Sequence, residues 1–145
     1  MKPARIDRQR LDAATWPSTY RMPVRFVDID TQRHVNNSGA VVYLQEGRIA
    51  FDAELEMHHD PGEGTVVVSA MVEYADEMLW PGEVEVDTGV VDIGRTSFTL
   101  AQRIRQSGKS CIFALVSLVR VGPSGTEPLT PGMREKLERG RLIEG

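Results

Sequence analysis

The sequence predicts an α+β domain in which a long antiparallel sheet curls around one long helix. Three observations carry this expectation. Residues 38–58 contain no proline and place Val41, Val42, Leu44, Ile49, Ala50, Phe51 and Leu55 at helical spacing. Residues 65–121 read as consecutive strands separated by turn signals. Strands and helices do not alternate, which disfavours a parallel doubly wound sheet. The chain of 145 residues suits a single domain, 1–145, with enough length for a sizeable core.

Residues 1–19 form a polar lead-in. Residues 20–29 read as the first strand, because Met22, Val24 and Phe26 alternate with polar positions. Two acids, Asp28 and Asp30, close this stretch, and His34, Asn36 and Asn37 follow before the long apolar segment. Asparagines in that place mark a helix start. The helix of residues 38–58 is apolar around much of its girth, as buried helices are. Gly39 and Gly47 lie inside it, each disfavouring helix by about 1 kcal/mol relative to alanine. Close approach of another backbone would offset that cost. "HHDPGEG" ends the helix: His58 and His59 suit its negative end, and Pro61 with Gly62 stops it.

Four strand candidates follow. They are "TVVVSAMVEYADEM", "PGEVEVDTGVVDI", "RTSFTLAQRIRQ" after Gly94, and "CIFALVSLVRV" after the tight turn "SGKS". The last has the apolar density of a central strand. The sheet then has about five strands. Its edges invite pairing with another subunit. "GPSGTEPLTPG" is loop, and residues 131–145 form a helical tail with Pro131 at its start.

Apolar residues make up 41% and charged residues 26%, as in ordinary soluble globular proteins. A formal charge of −4, with no basic stripe and interleaved aromatics, argues against a nucleic-acid partner. No run is long enough to span a bilayer, and residues 1–20 hold no apolar signal core. Cys111 is the only cysteine, so an intrachain disulfide and a CxxC zinc site are excluded. A cytoplasmic location is the expectation. His58, His59 and Asp60 are adjacent and only one further histidine exists, so no metal site is expected.

"VRFVDIDTQRHVNNSGAVVYLQEGRIAF" resembles the start of the 4-hydroxybenzoyl-CoA thioesterase-like proteins of the hotdog fold. Their pattern is a strand ending in Asp-x-Asp, a short loop that often reads His-Val-Asn-Asn, and a helix carrying Tyr-Leu and Glu-x-Arg. Tyr43, Leu44, Glu46 and Arg48 hold those helix places here. "PGEVEVDTGVVDIGRTSFTLAQRI" is similar to the family's central hairpin, with Gly94, Arg95 and Ser97 in place. The resemblance covers roughly residues 20–122. Arg33 stands where the family usually has glycine, and Ala40 where tyrosine is common.

The resemblance implies an acyl-CoA thioesterase that releases a free acid and coenzyme A. No separate cofactor is implied, since coenzyme A is part of the substrate. It also implies a homodimer or dimer of dimers, with active sites between subunits. Asp30 matches the family's catalytic aspartate, as nucleophile or as base toward water. A thiol leaving group with a pKa of about 8.5 departs readily as thiolate, so no strong general acid is required. Asn37 and its neighbours would act through free helix-start amides that stabilise the oxyanion. Asp28 either perturbs Asp30 or holds the loop. His34 either positions water and acyl thioester or bonds the loop. Glu46 is a reserve acid or an arginine's ion-pair partner. Arg95, Thr96 and Ser97 lie where the family binds the cofactor portion of the substrate, with Arg95 suited to a phosphate. A non-catalytic acyl-thioester binder and a hotdog dehydratase are the rival readings.

Overall fold

The computed structural model describes residues 5–144. The first four residues of the lead-in, and Gly145 of the tail, lie outside the described residues. The order is α1 (Arg8–Ala13), β1 (Ser18–Pro23), a 3-10 turn (Phe26–Asp28), α2 (Asn37–Glu54), β2 (Gly64–Tyr74), β3 (Glu83–Ile93), β4 (Ser97–Gln106), β5 (Lys109–Gly122), β6 (Gly125–Thr126) and α3 (Pro131–Arg139). The strands form one antiparallel sheet in the order β1-β3-β4-β5-β2, and the short β6 pairs with β5. The expected central strand is interior, between β4 and β2.

Helix α2 lies on the inner face. Ala40, Tyr43, Leu44, Gly47 and Phe51 form its buried stripe, facing Val84, Val86, Leu100, Ile104, Ile112 and Ala114. Each large apolar side chain buried here contributes about 1.5–3 kcal/mol. The two helix glycines let this packing close. A Cβ on Gly39 would sit 2.7 Å from Asp28 Cβ, and one on Gly47 would collide with Val86 Cγ1. Side chains, rather than the expected backbone, come close at both. Gln102, fully buried on β4, donates to the Leu44 carbonyl and to Thr88 Oγ1, and accepts from Arg48.

The outer face is closed by the chain's two ends. Ile6, Leu11 and Leu142 pack on Ala101 and Phe113. Glu73 accepts from the Ile6 amide and from Arg8, and Arg103 stacks over Trp16. The lead-in is therefore part of the fold. Its polar composition hid three apolar anchors, Ile6, Leu11 and Trp16, whose five-residue spacing matches neither helix nor strand.

Three boundaries depart from expectation, one being the tail helix α3, which stops at Arg139, short of the expected 131–145. The first strand stops at Pro23, six residues short of 29. Met22 and Val24 are buried as predicted, but Phe26 is 68% exposed on the 3-10 turn. Helix α2 ends at Glu54, ahead of the histidines. Glu56 takes a left-handed conformation (φ +57), and the amides of Glu56 and Met57 reach back to Ala53 and Asp52. This termination usually carries glycine, so glutamate gave no stop signal. The helix is also not covered all round: Val41 and Ile49 remain about half exposed in the single chain.

Gly47→Ala tests the close helix–sheet approach. It gains helix propensity but forces Val86 aside, so urea unfolding should show a net loss of about 1–3 kcal/mol. Unchanged stability would mean that α2 stands farther from the sheet.

Candidate active site

The loop between β1 and α2 is shaped by its acids and amides. After Pro23 the chain leaves the sheet, and the Asp28 amide donates to the Arg25 carbonyl, closing the turn. Arg25 grips Asp28 with two hydrogen bonds, 2.6 and 3.2 Å. Asp28 is buried, and its carbonyl accepts from the Asn36 amide at 2.8 Å. The Arg25 amide donates to the Tyr43 hydroxyl at 2.9 Å. Burial pushes the Tyr43 hydroxyl pKa up, the Arg25 amide opposes this, and Asp28 adds to it. Asp28 thus holds the loop. Because the strand has already ended, the two acids do not share a strand face.

Asp30 heads a tight turn. Its amide donates to the His34 carbonyl, and its carbonyl accepts from the Arg33 amide. One carboxylate oxygen, Oδ1, accepts from the amides of Gln32 (2.9 Å) and His34 (3.0 Å). Those bonds hold the Asp30 pKa below its ordinary value: the His34 amide contributes most, partial burial opposes it, and Gln32 assists. The side chain is open to solvent in the single chain. Arg33 adopts φ +63, so arginine takes the left-handed conformation for which the family usually has glycine. Its guanidinium stacks over Trp80, and its carbonyl accepts from the Trp80 amide.

The start of α2 faces the same space. Asn36 is the cap, accepting from the Gly39 amide at 2.8 Å. Among the described residues, no acceptor meets the amides of Asn37 and Ser38. These amides carry the helix's partial positive charge. The Asn37 side chain is exposed.

Asp30, His34 and Asn37 line one groove of about 660 Å³. Ala40, Met78 and Ile112 supply apolar lining, and Tyr74, Asp76 and Glu77 a polar rim. His34 Nε2 lies 3.1 Å from Glu77 Oε2. Sequence reading missed Tyr74, Asp76 and Glu77. The only hint was the acids clustered after a strand in "EYADEM".

The other candidates lie elsewhere. Glu46 does not line the groove and forms no ion pair among the described residues; Arg48 instead serves Gln102. Arg95, Thr96 and Ser97 form the β3–β4 turn, where the carbonyls of Arg95 and Thr96 accept from Leu129 and Arg120. Ser97 pairs with Val119, whereas the groove meets β5 at Ile112. Seven strand residues separate those points, about 23 Å. One chain alone does not bring this turn to Asp30. Cys111 is buried, which pushes its thiol pKa up, as an inert core thiol requires. Among the described residues, no group of three or more His, Cys, Asp or Glu is placed to hold a metal ion. No helix among them is long and apolar enough to cross a membrane.

Comparison with solved structures finds the same architecture repeatedly. A Thermus thermophilus thioesterase complexed with coenzyme A and zinc is 29% identical, with a TM-score of 0.76 over 85% of this chain and 98% of that one. A Bacillus stearothermophilus protein predicted to be a thioesterase is 27% identical, with a TM-score of 0.78 over 88% and 98%. A 1,4-dihydroxy-2-naphthoyl-CoA thioesterase from Synechocystis shares the fold at 15% identity, with a TM-score of 0.74 over 82% and 93%. No curated protein matches. The thioesterase-like superfamily model matches residues 24–137, a span from the Asp28–Asp30 loop into α3. The chain belongs to that superfamily, a family of thioester hydrolases built on the hotdog fold.

Proposed function

We propose that this protein hydrolyses acyl-CoA thioesters to free carboxylic acids and coenzyme A. One observation carries the reading: an ionised carboxylate, Asp30, lines the same groove as the open amide end of α2. The thioester carbonyl would lie between them. Asp30 attacks its carbon, or takes a proton from water that does so. The oxyanion is held by the amides of Asn37 and Ser38, a donor type worth about 3 kcal/mol each elsewhere. As the C–O bond forms, the C–S bond breaks and coenzyme A leaves as thiolate. Water supplies the acid's new oxygen, directly or by opening the anhydride. His34 touches the acyl thioester or the water. No separate cofactor takes part.

The site is completed in this reading by a second copy. Strand β2 has a free edge, and Val66, Val67 and Val68 on it are about half exposed. Two copies paired antiparallel along β2 would set the Tyr74 end of one against the Gly64 end of the other. The Arg95–Ser97 turn would then approach the groove across three strand spacings, about 14 Å. That supplies cations the groove lacks: its acids are Asp30, Asp76 and Glu77, and Lys109 is spent on Asp76. Glu46 becomes a distant reserve. A dimer of dimers would draw on the uncovered Val41 and Ile49 of α2.

Asp30→Asn should lower kcat at least 100-fold, within the range for a lost base or nucleophile. A panel of acyl-CoAs with free-thiol detection reads this. Unchanged hydrolysis sinks the mechanism, and a wild type inactive throughout the panel points to a binding protein. NMR titration of the Asp30 carboxyl should give a midpoint below the ordinary 3.8. A depressed folded-state value means that Asp30 stabilises the fold above the unfolded value. That contribution disappears as pH falls through the folded one. Val67→Asp should yield monomers by sedimentation velocity and lose hydrolysis, while Asp30→Asn stays dimeric.

A further inference from the structure

We infer that Glu77 is a positioning residue for His34, selecting which imidazole nitrogen faces the reaction. The inference rests on the thioesterase reading above and adds a residue to it. His34 Nε2 and Glu77 Oε2 are 3.1 Å apart, and both residues line the groove that holds Asp30. The two come from segments far apart in sequence, yet each backbone is tied down. His34 donates its amide to Asp30 Oδ1 and accepts the Asp30 amide on its carbonyl. It also bridges to Leu79. Glu77 donates its amide to Asp76 Oδ1, and Asp76 is held by Lys109 at 2.6 Å. The Glu77 carbonyl accepts from the Cys111 thiol. Contact between side chains on such fixed supports needs little ordering.

The chemistry follows from the donor inventory. A carboxylate only accepts, so its approach favours the proton on the nitrogen that faces it. In the neutral ring Nδ1 is then an acceptor. Among the described residues, none donates to it. Asp30 Oδ1 is already taken by two amides, which leaves Oδ2 as the second open acceptor at this end of the groove. A water has two protons to give. Nδ1 and Asp30 Oδ2 would each accept one, turning a lone pair toward the carbonyl carbon. The His34 ring is 23% exposed and its partner 62%, so Glu77 contributes orientation more than binding energy.

Long-range proton–nitrogen NMR at mildly alkaline pH reads the tautomer directly, with or without turnover. Wild type should show His34 protonated at Nε2. Glu77→Ala should mix the tautomers, and Glu77→Gln should keep the wild-type form, because its amide oxygen still accepts. In kinetics, Glu77→Ala should lower kcat roughly tenfold with KM nearly unchanged. The double variant with His34→Ala should be no slower than His34→Ala alone. An unchanged tautomer in Glu77→Ala, a wild type protonated at Nδ1, or additive kinetic losses would overturn the inference. A silent wild type with the expected tautomer pattern would overturn the thioesterase reading and leave the positioning role standing.

Discussion

The first turn of α2 rests on Asp28, and the site's geometry depends on that contact. Gly39 has no side chain because Asp28 Cβ occupies the place one would need. Asp28 in turn is gripped by Arg25 and accepts the Asn36 amide, so the cap, the turn and the helix axis share one anchor. Lengthen any of these contacts and the free amides swing away from Asp30. The loop therefore behaves as a rigid bracket, although its tip is exposed. Its cost is visible at Arg33, where a side chain takes a conformation better suited to glycine. Stacking on Trp80 offsets part of that cost.

Electrostatics around the groove separate two kinds of carboxylate. Asp28 is neutralised by a neighbour and buried, so its charge is spent on architecture. Asp30 accepts only neutral amides at one oxygen and keeps the other open. Identical side chains two residues apart thus acquire different duties from their partners alone. A third acid, Asp52, is pushed upward by burial on α2, with His59 and Arg48 pulling it back, and lies outside the groove.

Much of the fold was legible, because period and turn chemistry are local. The hairpin strands, a helix start at the Asn36–Asn37 pair and Pro131 at the start of α3 all signalled themselves. The exit of the chain at Pro23 did not. Val24 and Phe26 continue an alternating pattern, and only the Arg25–Asp28 ion pair and its 3-10 turn break it. The end of α2 was hidden because Glu56 does a glycine's work. Of the groove's lining, Asp30, His34 and Asn37 sit within eight residues and were readable together. Tyr74, Asp76 and Glu77 join them only through strand pairing, a long-range fact without a local signature. The distance between the Arg95 turn and Asp30 within one chain was equally invisible until the register of β4 on β5 was known.

The closure of the outer sheet face has a topological consequence. Thr15 and Ile143 pair with each other, and Arg10 meets Glu144, so the two described ends of the chain lie side by side. A short tether between them would span almost no distance. New termini could then be cut at the exposed Ser107–Gly108 hairpin tip with every layer of the fold retained. The molecule is in this sense already a ring, opened on the outer face of its sheet.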